Sequence, residues 1–314
     1  MQKIQELANK IIDNVSKVII GNNETTKLII TTILAGGHIL MEDMPGTGKT
    51  MMAKTIAGSM DAAFKRVQFT PDLMPSDITG LNVYNQKESE FKLVKGPVFT
   101  NILLADEINR ATPRTQSSLL EAMEEKQVTI DGNTMKLQEP FIVIATENPL
   151  ETTGTYPLPE AQLDRFMMKI SMSVSDKKNE LTIIDRFIKD NPLETLEKCC
   201  GIDDINEAKK IITDVYIHDC VRDYLVDIIL ATRDDNRTVA GVSTRGTLAL
   251  VRCAQAYAAI HGRKYVIPDD IKLLAPHVLG HRISVFGGGS SNQGSEIIKS
   301  IVSTIKVPVE KWEI

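Results

Sequence analysis

Residues 44–50, Met44-Pro45-Gly46-Thr47-Gly48-Lys49-Thr50, set two glycines, a lysine and a hydroxyl at the spacing that holds a polyphosphate. A turn of this composition exposes backbone N–H groups, and a helix starting just behind it adds partial positive charge at the same point. Lys49 is placed to reach the β and γ phosphates and the Thr50 hydroxyl to ligate Mg²⁺. The first glycine of the full G-x-x-x-x-G-K-[ST] pattern would fall at 43, where this chain has Asp43. Gly46 and Gly48 still supply the tight turn, so binding is expected to survive that departure.

Two carboxylates close the apolar run Ile102-Leu103-Leu104-Ala105: Asp106 and Glu107. In a parallel sheet, ligands sit beyond the carboxyl ends of the strands, which puts both acids beside the phosphate turn. Asp106 is expected to hold Mg²⁺ through water, and Glu107 to orient and deprotonate the water that attacks the γ-phosphate. Phosphoryl transfer asks mainly for positioning and charge neutralisation. A further run, Ile142-Val143-Ile144-Ala145-Thr146-Glu147-Asn148, ends in Asn148, which is expected to bond the attacking water or the γ-phosphate.

The elements that must position these groups are legible in the hydrophobic pattern. Apolar positions Ile4, Leu7, Ile11, Val15 and Val18 recur at helical spacing over residues 1–19, and a second helix runs from Glu24 to Ala35. Strands are expected at Ile39–Met41, Phe64–Phe69, Ile102–Ala105, Phe141–Ala145 and Met167–Ser171, alternating with helices such as Met51–Met60. That alternation implies an α/β fold with a parallel sheet flanked by helices. Beyond Ser175 the pattern turns helical, with Val242–Ile260 (Ser243 as N-cap, Gly262 as stop), a helix starting near Pro268, and a last one at Glu296–Ile305. Residues 287–295 read as a flexible Gly/Ser loop, and a domain boundary is expected near 174–178. No internal repeat is apparent.

With these motifs in place, the chain resembles the AAA+ ATPases, and within them the MoxR family. The resemblance covers nearly the whole length and rests on residues 68–80 (QFTPDLMPSDITG), Asp106-Glu107-Ile108-Asn109-Arg110-Ala111, residues 119–125 (LLEAMEE) and residues 159–166 (PEAQLDRF). It implies an AAA+ core over 1–175, an all-α lid over 176–314, and a homo-oligomeric, typically hexameric, ring using ATP and Mg²⁺. It further implies that Lys49 and Thr50 are Walker A residues, Asp106 and Glu107 Walker B, and Asn148 sensor 1. Residues Pro45, Gly46, Thr47, Gly48 and Met51 belong to the nucleotide-binding stretch, and Ile20-Gly21 resembles the part that contacts adenine. Arg165 resembles the arginine finger that reaches a neighbouring subunit, with Arg110 and Arg114 as rivals. Arg245 resembles sensor 2, closing the lid on the γ-phosphate. Being near a helix start, where a cation is disfavoured, Arg245 is expected to be paired with an anion. Residues 80–100 look like the helix-2 insert of this clade, and 127–138, turning at Asp131-Gly132, like the hairpin before sensor 1. The implied role is chaperone-like remodelling or cofactor insertion into a client protein, often with a von Willebrand factor A domain partner.

Composition bounds the alternatives. Net charge is −5, with Lys+Arg 36 against Asp+Glu 41 over 314 residues, and there is no basic or aromatic stripe. Both count against a nucleic-acid motor, the second enzyme reading. A third reading is a nucleotide-held scaffold with negligible turnover, against which Glu107, Asn148 and Arg165 stand. No apolar run is long enough for a membrane span and no secretion signal opens the chain, so a cytoplasmic location is expected. Cys199, Cys200, Cys220 and Cys253 lack metal spacing and are expected as reduced, mostly buried thiols. The five histidines, also without metal spacing, are expected to be structural. Lys65 and Arg66 are expected on a solvated strand near the sheet edge, and Trp312 as an anchor for the tail.

Overall fold

Strands that are apolar at every position end up in the middle of a sheet, covered on both sides. In the computed structural model, which describes residues 1–44, 46–149, 154–173, 176–188, 190–287 and 292–308, the runs at 102 and 142 do so. Two helices lead, α1 (Gln2–Ser16) and α2 (Asn23–Leu34), followed by β1 (Ile39–Glu42), α3 (Lys49–Ser59) and β2 (Phe64–Gln68). A short α4 (Pro75–Thr79) then gives way to the antiparallel pair β3 (Gly80–Asn85) and β4 (Glu90–Lys95). The core continues with β5 (Ile102–Asp106), α5 (Pro113–Glu125), the hairpin β6 (Gln127–Ile130) and β7 (Asn133–Lys136), β8 (Ile142–Glu147), α6 (Glu160–Leu163) and β9 (Met168–Ile170). Five strands pair in parallel in the order β2-β5-β8-β1-β9.

The strand period of two divides the core. Ile39, Met41, Leu104 and Ile144 pack on one face with α1 to α3 and the later helices. Leu40, Leu103, Val143 and Ala145 pack on the other with Leu119, Leu120 and Met123 of α5. At the root of the β3–β4 pair the backbone crosses itself closely. A Cβ on Gly80 would lie 2.4 Å from the Val94 carbonyl oxygen, and one on Gly96 2.2 Å from that of Ile78, so both positions need glycine.

The remainder is helical: α7 (Lys177–Phe187), α8 (Ile202–Ile211), α9 (Asp219–Asp234), α10 (Thr244–Ile260), α11 (Pro268–Leu279) and α12 (Gln293–Thr304). A small ladder joins β10 (Thr238–Ala240) and β11 (Ser284–Val285). Ser243 caps α10, its hydroxyl accepting from the Gly246 N–H at 3.3 Å. The expected Gly/Ser loop over 287–295 is shorter than its composition suggests. Residues 288–291 lie outside the described residues, and α12 has begun by Gln293. Gly294 and Ser295 serve close packing instead: a Cβ on Gly294 would meet the Gly280 carbonyl oxygen at 2.0 Å. Residues 174–175 of the expected boundary and Trp312 also lie outside the described residues. The cysteine expectation needs correction. All four are free thiols, but only Cys253 is buried.

Candidate active site

Beyond the exit of β1, Gly46 (φ 85°) and Gly48 (φ 91°) take the left-handed conformation, and nothing lies within 4 Å of where a Gly46 Cβ would project. The turn therefore presents an open concave backbone, which is what a phosphate chain needs. Pro45 lies outside the described residues. Lys49 opens α3 and donates from Nζ to the Asp43 carbonyl oxygen at 2.8 Å, and its partial burial lowers its ammonium pKa. The Asp43 side chain does other work: Oδ2 accepts from the Met172 N–H at 2.8 Å, tying the turn to the end of β9. Nearby, Asn22 Oδ1 accepts from the Ser173 N–H at 2.8 Å. That bond brings Ile20 and Gly21 (φ 76°) to the same side of the molecule, with Gly21 against Asn179 of α7.

Asp106 and Glu107 emerge from β5, next to β8 and one strand removed from β1. Glu107 itself is left-handed (φ 56°), a conformation that costs a non-glycine residue energy and clusters at functional sites. It is pinned by its neighbour strand: the Glu107 N–H donates to Thr146 Oγ1 at 2.9 Å, and that hydroxyl donates to Asp106 Oδ1 at 2.6 Å. Arg110 Nη1 donates to Glu107 Oε2 at 3.1 Å, so Arg110 is engaged within its own chain. Asn148, at the exit of β8, is buried.

Three further residues of this end escaped the sequence reading. Arg66, expected to face solvent, donates from Nη2 to Asp106 Oδ2 at 2.7 Å, and Gln68 Nε2 donates to Glu107 Oε2 at 2.7 Å. Thr146 bridges the two acids as described. The signal lay in the alternating polar residues of β2, but only the register Gln68↔Asp106 reveals it.

The two arginines implied by the resemblance lie at the opposite end of the sheet. His38, immediately before β1, contacts the Met123 carbonyl oxygen through Nε2 at 3.1 Å, which fixes the end of α5 at the strand entries. A groove of about 500 Å³ opens there, lined by His38, Glu124, Arg165, Arg245 and Arg252 among others. Arg165 Nε lies 3.1 Å from Glu124 Oε2, off the hydrogen-bond axis, while Arg245 donates to Glu124 Oε1. Glu124 is thus the anion expected beside Arg245. Within one chain, Arg245 is engaged with Glu124 in the groove at the strand entries. Arg282, almost wholly buried, holds the Arg165 segment by donating to Asp164 Oδ1 at 2.7 Å and to the Phe166 carbonyl oxygen at 2.6 Å. The groove carries Lys126, Arg165, Arg245, Arg252 and Arg282 against Glu124 and Asp164, an excess of positive charge. Burial lowers the His38 pKa to about 4, so that ring adds none. Arg114 is exposed near the start of α5.

Among the described residues, no cluster of three or more His, Cys, Asp or Glu could hold a metal, and no helix is long and apolar enough to cross a membrane.

Residues 38–168 match the family model of ATPases associated with various cellular activities (AAA), and residues 230–301 match that of the AAA lid domain. Chaperone MoxR1 of Mycobacterium tuberculosis is 37% identical over 94% of this chain and 80% of its own. The uncharacterised protein YeaC of Bacillus subtilis is 46% identical over 99% of this chain and 98% of its own. A crystal structure of a candidate ATPase from Cytophaga hutchinsonii superposes with a TM-score of 0.89 at 41% identity, covering 98% of this chain and 97% of that one. A nucleotide-binding core of this geometry, a helical lid and relatives of this closeness have one reading: the chain belongs to the MoxR family of AAA+ ATPases and hydrolyses ATP.

Proposed function

We propose that the protein is a Mg²⁺-dependent ATPase whose reaction site is completed between neighbouring subunits of a ring, and that it remodels or matures a client protein. The observation that carries this reading is the separation of parts: turn, lysine and carboxylates at the strand exits, surplus arginines at the strand entries of the same chain. A neighbour's entry groove set against this chain's exits would bring both halves together around one triphosphate.

In this reading Pro45 to Met51 cradle the phosphates and Ile20-Gly21 take the adenine. Lys49 exchanges the Asp43 carbonyl for the β and γ phosphates. The donor set, one hydroxyl and one carboxylate, is of the oxygen type that suits a hard cation, and Thr50 and Asp106 would hold it. Bound Mg²⁺ neutralises charge on the phosphates. Glu107 takes the proton of the attacking water, and Asn148 orients that water. Arg165 and Arg245, supplied by the neighbour, stabilise the charge that develops on the γ-phosphate.

The name of the M. tuberculosis relative, a chaperone, supports client remodelling. A von Willebrand factor A domain partner, a hexameric ring, a cytoplasmic location and the division into 1–175 and 176–314 belong to the same proposal. The test is ATP turnover per subunit against protein concentration, with Mg²⁺ and without client, alongside sizing at each concentration. A specific rate that climbs as larger assemblies form supports the shared site. Full turnover by a species sized as a monomer contradicts it.

A further inference from the structure

Consecutive residues of a strand point to opposite faces of its sheet. Asp106 ends β5 and Glu107 follows it, so in extended backbone their carboxylates would lie on opposite sides. They do not. Arg66 and Gln68 are two apart on β2 and share one face. Arg66 donates to Asp106 Oδ2 at 2.7 Å, and Gln68 to Glu107 Oε2 at 2.7 Å, so both carboxylates lie on that face. What turns Glu107 round is its own backbone, at φ 56° and ψ 51°. Among the described residues, the other non-glycines with positive φ are Asp61, Ser89, Lys126 and Asp131, all of them exposed. Glu107 is partly buried, and it turns at the point where two acids must face one phosphate.

A costly backbone conformation persists only where its surroundings fix it. Gln68 and Arg110 hold the Glu107 carboxylate, not its main chain. The main chain is held from two sides by wholly buried residues, Thr146 of β8 and Gln116 of α5. The Glu107 N–H can only donate, so the Thr146 hydroxyl accepts from it at 2.9 Å and spends its own proton on Asp106 Oδ1 at 2.6 Å. From the other side, Gln116 Nε2 donates to the carbonyl oxygens of Ile108, at 3.1 Å, and Tyr156, at 2.8 Å. Two carbonyls on one amide nitrogen settle which way the amide points, and its Oε1 finds no partner among the described residues. The Tyr156 N–H donates in turn to the Asn109 carbonyl oxygen at 2.6 Å, which clips the residues after Glu107 to a second segment.

We propose that Thr146 and Gln116 are positioning residues for ATP hydrolysis, holding the main chain at and just after Glu107 in its left-handed turn and so keeping its carboxylate on the face of Asp106. They act through Glu107, and their assignment rests on its proposed role as the base. Thr146 also touches Asp106, whereas Gln116 donates to main-chain oxygens at Ile108 and Tyr156. An effect common to both residues therefore belongs to the turn at Glu107.

The test uses the full chain, with turnover measured at saturating ATP and Mg²⁺ and binding measured with the non-hydrolysable analogue AMP-PNP. Thr146→Val and Gln116→Met keep the side-chain size and remove the hydrogen bonds. Each should keep the parent's affinity for AMP-PNP. The kcat should fall about 10²-fold in Thr146→Val, the cost of misplacing a reacting group by about 1 Å, and about tenfold in Gln116→Met, which loses a bond one residue further on. Thr146→Ser keeps the hydroxyl and should restore most of the rate. Added to Glu107→Gln, neither change should lower turnover further, because losses that pass through one residue do not add. Affinity that falls in step with turnover, a parent-like kcat in either variant, no recovery in Thr146→Ser, or losses that multiply with Glu107→Gln overturn the proposal. Full turnover by Glu107→Gln would remove the base itself. An inactive Glu107→Gln beside a fully active Thr146→Val or Gln116→Met would remove the positioning role alone. If neither variant folds, hydrogen exchange in the unaltered chain decides: the Glu107 N–H should exchange as slowly as those of β5, and rapid exchange contradicts its bond to Thr146.

Discussion

At the strand exits, the functional side chains are held by partners from the same chain. Lys49 rests on Asp43, Asp106 on Thr146 and Arg66, Glu107 on Gln68 and Arg110. At the strand entries, cations outnumber the carboxylates, and Arg165 and Arg245 share the single carboxylate of Glu124. The first end is a preorganised site with a strained backbone at Glu107. The second is a groove in which, among the described lining residues, cations outnumber carboxylates. On the proposed reading, a complete phosphate-transfer site is shared between chains, each copy contributing one of the two ends of the sheet.

The largest effect expected from this division is at Arg165. Arg165→Ala should bind ATP normally and lose about 10³-fold or more in turnover, the range for an arginine supplied in trans. Equal losses of binding and turnover would move Arg165 out of the reaction. Next comes Glu107→Gln, expected to keep nucleotide affinity while turnover drops by about 10²–10⁴-fold, as for loss of a general base. Retained hydrolysis would reassign the base.

A smaller effect concerns stability of the exit end. Glu147 sits across from Glu42 on the neighbouring strand, and its carboxyl is pushed up from 4.5 to about 7, by burial first and by Glu42 second, with Lys169 opposing. Below about 4.5 it is protonated folded and unfolded alike, so it changes nothing. As pH rises towards 7 the unfolded carboxyl ionises first, and the fold loses stability until both forms are ionised. At about 1.4 kcal/mol per pH unit the loss is on the order of 3–4 kcal/mol. Glu147→Gln should therefore match the parent near pH 4.5 and melt several degrees higher at pH 8. A difference independent of pH would contradict the assignment. Smallest is Arg66→Ala. The half-exposed Arg66–Asp106 pair contributes about 1 kcal/mol at most. Removing the competing cation should lower the Mg²⁺ needed for half-maximal turnover by a few-fold. An increased requirement would make Arg66 a support for the site rather than a competitor.

The exit end was legible because its chemistry is local in sequence. Strand, glycine turn and helix follow one another within residues 39–59, and each acid directly ends an apolar run. Arg66, Gln68 and Thr146 were not, because their role depends on β2 and β8 flanking β5, a spatial order that no local pattern encodes. The pairing of Arg245 with an anion was foreseen from helix electrostatics. Glu124 as that anion was not, since it lies 121 residues away. Gly294 and Ser295 misled for a related reason: small residues signal a loop locally, yet here they let α12 approach Gly280.

The most direct test of the proposed shared site mixes two chains, Lys49→Ala, expected to lose nucleotide binding while keeping Arg165, and Arg165→Ala, expected to bind nucleotide while lacking the arginine. Native mass spectrometry establishes that mixed assemblies have formed, and turnover is then measured. Recovery of hydrolysis in the mixture, absent from either variant alone, is the predicted result. Verified mixed assemblies that stay inactive would contradict a site built from two chains.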